Sequence, residues 1–337
     1  MATQKELAVR AGVSAGTVSN VISGTKPVAE KSRQKVLEAI RALNSKPNLI
    51  ARSLKTNRTN TIGLIVPDIT ISFYTNIIRS AELAARAQGY FLIVLDSQHS
   101  HELEVQLLGL LHQRVDGILF VTAGDYEWSD DGLRQIVAGL PVVCVDRRPE
   151  RLNVDSVGVD DKGAAQIGVR HLIEKGHNII AVVTGPLSLA NECERLDGYR
   201  SALRHARLGF QKHLIWSADF DQESIDTACR KGLLQSTHRP SAIFSTNAVT
   251  ALRALRSLYH MGLITPRDFA FATIDEVMID APFGPTITSV VQPTHEIGRL
   301  ATELLIKRIE SAPKRARSHS PSTIRLPATL VVRDSSQ

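Results

Sequence analysis

The stretch Thr3-Gln4-Lys5-Glu6-Leu7-Ala8-Val9-Arg10-Ala11-Gly12-Val13-Ser14-Ala15-Gly16-Thr17-Val18-Ser19-Asn20-Val21-Ile22 decides how the rest of the chain is read. Thr3 and Glu6 have the spacing of a capping box, which satisfies the orphan amides at a helix start. Gly12 falls where that helix must end and turn, a place where positive φ is cheap only for glycine. Ser14 is set to cap a second helix. Ala8, Val13, Val18, Val21 and Ile22 close a small core, which leaves Thr17, Ser19 and Asn20 to face outward. Two short amphipathic helices joined in this way predict a helix-turn-helix, whose second helix enters the major groove of double-stranded DNA.

Charge points the same way. Residues 1–60 hold eleven Lys and Arg against three acids, while the whole chain carries +6, so residues 61–337 carry −2. A basic module beside a near-neutral body is the electrostatic footprint of phosphate binding, because Lys and Arg displace condensed counterions from a duplex. A solvated basic face with no partner would show the same bias without the helix-turn-helix spacing.

The chain of 337 residues is long enough for two or three domains, and its 43% hydrophobic and 22% charged content is that of an ordinary globular protein. No run approaches the roughly 18 apolar residues of a membrane span. The polar N-terminus lacks an apolar signal core, so export is not expected. Cys144, Cys193 and Cys229 are scattered and odd in number, which predicts a reducing, cytoplasmic setting with no disulfide framework and no metal cluster. Nothing implies a cofactor.

A third helix is expected over Glu30 to Leu43, followed by a linker or short hinge helix at 47–60 that is too short to be stable alone. From Thr61 the pattern changes. Apolar runs at Ile62–Val66, Phe91–Leu95, Gly117–Val121 and Val142–Val145 alternate with helical segments near Thr75–Gln88, Glu102–Gln113 and Leu133–Ala138. The alternation restarts with runs at Ile179–Val183, Leu214–Ser217, Ala242–Ser245 and Phe269–Ile274, and with helices near Gly163–Lys175, Leu196–Ala206, Glu223–Leu234 and Val249–Met261. A last helix near Glu296–Glu310 and a strand near Thr329–Val332 are expected to cross back between the halves. Strand-helix alternation predicts parallel sheets covered on both faces. Ligands of open α/β sheets sit beyond the carboxyl ends of the strands. That singles out Asp68, Asp146, Asn247 and Asp275, either as acceptors for a hydroxyl-rich small molecule or as caps of the helices that follow.

The chain resembles the LacI/GalR family of transcription regulators nearly end to end. The resemblance is carried by Val9-Arg10-Ala11-Gly12-Val13-Ser14 with Thr17-Val18-Ser19, and by Pro47-Asn48 with Ala51-Arg52-Ser53-Leu54. It continues in Ile62-Gly63-Leu64-Ile65-Val66-Pro67-Asp68, Arg114-Val115-Asp116-Gly117-Ile118 and His171-Leu172-Ile173-Glu174-Lys175-Gly176-His177. Gly185-Pro186-Leu187, Arg195-Leu196-Asp197-Gly198-Tyr199, Gln292-Pro293 and Leu326-Pro327-Ala328-Thr329-Leu330-Val331 complete it.

The resemblance implies an all-α helix-turn-helix headpiece (1–46), a hinge (47–60) and an α/β body like that of periplasmic binding proteins. That body has two doubly wound parallel-sheet lobes, 61–160 with 292–321 and 161–291 with 322–337. It implies a homodimer that binds an operator and answers to a small-molecule effector, a sugar or sugar acid being the first expectation, with repression as the expected outcome. DNA contact falls to Thr3, Ser14, Ala15, Gly16, Thr17 and Asn20, and to Asn48, Ala51, Arg52, Leu54 and Lys55. Leu54 is similar to the family's minor-groove wedge. Effector contact falls to Asp146, Arg195, Asn247 and Asp275, with Phe73 and Phe220 as walls. Arg195 reads as the hub, through its planar fork, or as an interlobe salt bridge.

The sequence also departs from the family pattern. Ala15 and Gly16 are small where relatives read bases with larger side chains, so Thr17 and Asn20 carry more of the expected readout. Ala29 stands where a Ser often caps the third helix. Ala248-Val249 and Ile71-Ser72 replace more polar pairs. A metabolic enzyme and a transport binding protein are the competing readings. The first lacks every phosphate-loop, nucleophile-elbow and metal motif, and the second would carry no headpiece.

Overall fold

The computed structural model describes residues 3–23, 26–43, 58–124, 139–147, 152–236, 238–277, 285–311 and 320–337. The chain forms two compact units, Met1–Asn60 and Thr61–Gln337. The hinge residues Asn48, Ala51, Arg52, Leu54 and Lys55, and the helix expected near Leu133–Ala138, lie outside the described residues.

The first unit holds α1 (Gln4–Ala11), α2 (Ala15–Ser23) and α3 (Glu30–Ala42). The capping box forms in both directions, with the Thr3 amide donating to Glu6 at 2.8 Å and the Glu6 amide to Thr3 Oγ1 at 3.3 Å. Gly12 adopts φ 63° and ends α1. Ala29 starts α3 without a side-chain cap. The small core is Leu7, Ala8, Ala11, Val18, Val36 and Ala39, with Val13, Val21 and Ile22 partly buried against it. Ser19, expected to face outward, is instead buried at 7% exposure. It follows Val18 directly on the inner side of α2, which leaves Thr17 and Asn20 nearer the outer face.

The second unit contains two six-stranded sheets. β1 (Thr61–Val66), β2 (Phe91–Asp96), β3 (Gly117–Phe120), β4 (Val142–Val145), β5 (Asp155–Val159) and β11 (Thr323–Leu326) form the first, in the order β11-β5-β4-β3-β1-β2, all parallel. β6 (Ile180–Thr184), β7 (Ile215–Ser217), β8 (Ala242–Ser245), β9 (Ala270–Ile274), β10 (Thr288–Val291) and β12 (Thr329–Val331) form the second, in the order β12-β10-β9-β8-β6-β7. Among the described residues, only β12 runs antiparallel there. Both sheets are doubly wound, and in each the order reverses beside the first strand of the half.

Helices cover both faces. α4 (Ser72–Ala87) and α10 (Thr294–Ser311) pack on one side of the first sheet, through Ile77, Ala81, Ala301 and Leu305. α5 (His101–His112) packs on the other, through Leu108 and Leu111 against Ile118 and Phe120. On the second sheet, α6 (Asp161–Glu174) and α7 (Ala190–His205) take one face, and α8 (Gln222–Gln235) and α9 (Ala248–His260) the other. Burial on both faces explains why β1, β3, β4, β6, β8 and β9 read as short β-branched runs rather than alternating ones.

Three strands did not stand out as apolar runs. β5 is Asp-Ser-Val-Gly-Val, poor in strand formers. Its Asp155 is held by Arg308 through two bonds of 2.7 and 2.8 Å and by the Ser322 amide at 2.8 Å. β10 begins Thr288-Ser289, and β11 contains Arg325. β11 also corrects a boundary. Residues 323–326 pair with β5 in the first sheet, so the last crossing falls after 326 rather than at 322. α7 begins at Ala190, six residues before the expected Leu196, because its first turns are polar yet buried and Leu189 offers no side-chain cap.

Candidate functional site

At the start of α2, Ser14 Oγ accepts the Thr17 amide at 3.1 Å and lies 2.9 Å from the Thr17 hydroxyl. The N-terminal turn of α2 is thereby fixed by two of the residues that the sequence assigned to DNA contact. Thr3, Ser14, Ala15 and Gly16 are exposed, and Thr17 and Asn20 are partly buried. All six cluster at the cap of α1 and the first turns of α2.

In the body, a cavity of about 640 Å³ opens beyond the carboxyl ends of both sheets. Phe73, Asp146, Arg195, Phe220, Asn247 and Asp275 all line it. The structure thus brings together residues as far apart in sequence as Phe73 and Asp275. Asp68 sits at its rim and accepts the amide and hydroxyl of Thr70 at 2.7 and 2.6 Å.

Arg195 is 3% exposed and occupies the floor. Its Nε donates to Asp161 at 2.8 Å and its Nη1 to the Thr246 carbonyl at 3.0 Å, with Glu192 Oε1 3.5 Å away. The fork is therefore largely committed to protein partners on its own lobe, through Nε and Nη1. Its carboxylate partners Asp161 and Glu192 belong to its own lobe, so Arg195 does not form the interlobe salt bridge that the sequence offered as an alternative. Glu192 is a second hub. It accepts the Gly185 amide at 3.0 Å, the Thr246 hydroxyl, and the Asn247 side-chain amide at 2.9 Å. Asn247 takes the capping role, because its Oδ1 accepts the Thr250 amide at 2.9 Å at the start of α9. Asp275 Oδ1 accepts Gln292 Nε2 at 2.7 Å.

Several polar atoms in this site have no hydrogen-bond partner among the described residues: Asp146 Oδ1, Asn191 Oδ1 and Gln292 Oε1 as acceptors, and Arg147 Nε as donor. Unsatisfied buried polar atoms are costly and rare in native structures. Apolar walls complete the site. Phe73 meets Tyr74 edge-on at 5.2 Å, and the Phe220 ring lies 6.4 Å from His99, which reaches across from the first lobe.

Burial sets the electrostatics. It pushes the Asp146 carboxyl up to about 6, against the pull of Arg147, and raises Asp161 and Asp275 as well. Burial alone would lower the Arg195 guanidinium, but Asp161, Glu192, Asp275 and Asp146 together hold it above its ordinary value. In the first lobe, buried Glu104 is pushed up to about 7 by burial although it accepts bonds from the Ala123 amide, Thr122 and Ser97. Sequence reasoning missed Arg147, Asn191, Glu192, Gln292 and Asp161. The signals were local: Arg147 adjoins Asp146, Glu192 lies one helical turn before Arg195, and Gln292 belongs to a stretch already singled out for its family resemblance.

Comparison with known proteins accords with this geometry. Residues 3–48 match the family model for bacterial regulatory proteins of the lacI family, and residues 169–336 match a periplasmic binding protein-like domain. The chain is 34% identical over 313 residues to the HTH-type transcriptional repressor PurR of Aliivibrio salmonicida (strain LFI1238), covering 92% of this chain and 93% of that protein. It is 34% identical over 310 residues to the ribose operon repressor of Escherichia coli (strain K12), with 92% and 93% covered. Among solved structures, the transcriptional regulator CelR in complex with cellobiose is 32% identical, with a TM-score of 0.72 over 99% of this chain and 100% of that one. No helix among the described residues is long and apolar enough to cross a membrane. By these measures the chain belongs to the lacI family of bacterial regulatory proteins, DNA-binding transcriptional repressors and not enzymes.

Proposed function

We propose that this repressor acts as a cytoplasmic homodimer whose grip on an operator is set by a neutral, hydroxyl-rich small molecule, a sugar, held in the cavity of the body. The observation that carries the reading is the set of unpartnered atoms. Three acceptors, on Asp146, Asn191 and Gln292, and one donor, on Arg147, converge there beside the aromatic walls of Phe73 and Phe220. Sugars present hydroxyl donors at their edges and apolar C–H faces to rings. The lining carboxylates Asp68, Asp146, Glu192, Asp221 and Asp275 outnumber Arg147, Arg195 and Arg253, which favours a neutral sugar over a sugar acid. The ribose operon repressor and the CelR–cellobiose complex support the class. Headpiece contact through Thr3, Ser14, Ala15, Gly16, Thr17 and Asn20, and hinge contact through Asn48, Ala51, Arg52, Leu54 and Lys55, complete the proposal.

A thermal-shift panel of ribose, cellobiose, other neutral sugars and their acids tests the class, since a ligand that binds only the native form raises its melting temperature. A neutral sugar is expected to raise it. A response to acids alone would overturn the reading.

A further inference from the structure

Arg325 stands where the chain passes for the last time between the two lobes, and its guanidinium belongs to both. It lies on β11, an edge strand of the first sheet, and its Nη1 donates to the Val159 carbonyl on β5 at 2.8 Å. The same group reaches into the second lobe. Nη1 and Nη2 lie 3.4 and 3.3 Å from the carboxylate of Glu194 on α7, and Nη1 is 3.4 Å from Oδ2 of Asp161 at the start of α6. The other oxygen of that aspartate, Oδ1, accepts Nε of Arg195. One carboxylate, 1% exposed, therefore joins a cation at the interlobe crossing to the cation on the cavity floor. Glu194, the partner of Arg325, is also the residue directly before Arg195.

We propose that Arg325 is a positioning residue for the cavity. Through Asp161 it sets where the Arg195 guanidinium rests and ties that position to the relation between the lobes. The proposal builds on the effector reading of the cavity. Its physical basis is that an aspartate shared between two guanidiniums is held between them. Rotation that withdraws Arg325 leaves Asp161 to Arg195 alone, and any ligand that moves Arg195 pulls on Arg325 in return, a reciprocal coupling. The Arg325–Glu194 pair itself is about 40% exposed on each side and contributes little to stability. What gives the relay its strength is the burial of Asp161, where charges are poorly screened.

Hydrogen exchange on the full-length protein, with no small molecule added, tests this. Arg325→Gln is expected to raise amide exchange at 161–165 and 246–247 by about fivefold, the equivalent of about 1 kcal/mol of coupling. Arg325→Lys, which keeps a cation on Asp161, is expected to stay within about twofold of the parent on the same scale. The exchange R325E/E194R restores an interlobe pair but sets a carboxylate against Asp161, so exchange at both places should remain raised. A return to parent values in the swapped protein would overturn the relay and leave a simple latch. So would an Arg325→Gln protein whose exchange rises only at 323–326. Thermal shifts with ribose and cellobiose on the same proteins examine the cavity separately. A parent that answers to neither, alongside raised exchange in Arg325→Gln, would count against the sugar reading while supporting the relay.

Discussion

Asp146 and Asp275 occupy equivalent places in the two halves of the body. Each follows the fourth strand of its sheet, each takes a left-handed backbone (φ 61° and 69°), and each donates its amide to a carbonyl of the next strand, Val157 at 2.9 Å and Val290 at 3.0 Å. Left-handed backbone is uncommon for non-glycine residues and is retained where the surroundings impose it. Here it turns two carboxylates off the ends of two sheets and into one cavity.

If the cavity holds a sugar as proposed, this arrangement is expected to make its binding depend on pH. Burial holds the Asp146 carboxyl at about 6, so below that value it is protonated and loses acceptor capacity toward a sugar hydroxyl. Affinity for a neutral sugar should fall about tenfold between pH 7.5 and 5, since each unit below the pKa costs about 1.4 kcal/mol of the ionised form. Asp146→Asn should bind more weakly at pH 7.5 and lose this dependence, as read by isothermal titration calorimetry. A flat profile in the parent would refute the role.

Glu104 predicts a pH effect on stability. Its folded value, about 7, lies above its ordinary 4.5, so its contribution is fully present below about 4.5 and is lost as pH rises through 7. Glu104→Gln removes that loss and should stabilise the body at pH 8 by about 2 kcal/mol. Urea unfolding at pH 5 and pH 8 checks it. Equal effects at both values would contradict the assignment.

Arg195 balances four buried carboxylates, so its removal should be felt in folding as well as in binding. Arg195→Ala is expected to cost about 3 kcal/mol, the usual penalty for leaving a buried charge uncompensated. Chemical denaturation of the body would show it as a lower midpoint. An unchanged midpoint with lost sugar response would mean that the guanidinium serves the ligand alone.

Packing reaches the site through Gly198. A Cβ there would lie 2.3 Å from the Lys162 carbonyl and 2.7 Å from Ala165 Cβ, so Gly198→Ala must push α6 and α7 apart. The separation also pulls Asp161 from Arg195. We expect a loss of about 2 kcal/mol together with weaker sugar binding. Parent-like stability and affinity would show that the helices yield without moving the pair.

Much of this was legible in the sequence because the governing signals are local. Thr3, Glu6, Gly12 and Ser14 specify caps and a turn over a few residues, and β-branched runs between amphipathic segments specify a doubly wound sheet. What was hidden depends on burial of polar groups. Ser19, β5 with its Asp155, and the first turn of α7 with Asn191 and Glu192 all look solvent-facing until partners distant in sequence surround them. The strand-end residues Asp146, Asn247 and Asp275 converge with Phe73, Arg195 and Phe220, which resemblance supplied, yet the second hub, Glu192, had no signal beyond its spacing from Arg195.

The central claim is that a duplex-binding headpiece and a sugar-binding body are coupled. Its most direct test is fluorescence anisotropy of the full-length protein on a duplex selected from a random pool, at physiological salt, with and without the neutral sugar that raises its melting temperature. The account predicts a selective complex whose affinity changes about tenfold or more with the sugar, a change that Arg195→Ala abolishes. Affinity no better than for random duplex, or unmoved by a sugar that demonstrably binds, would contradict it.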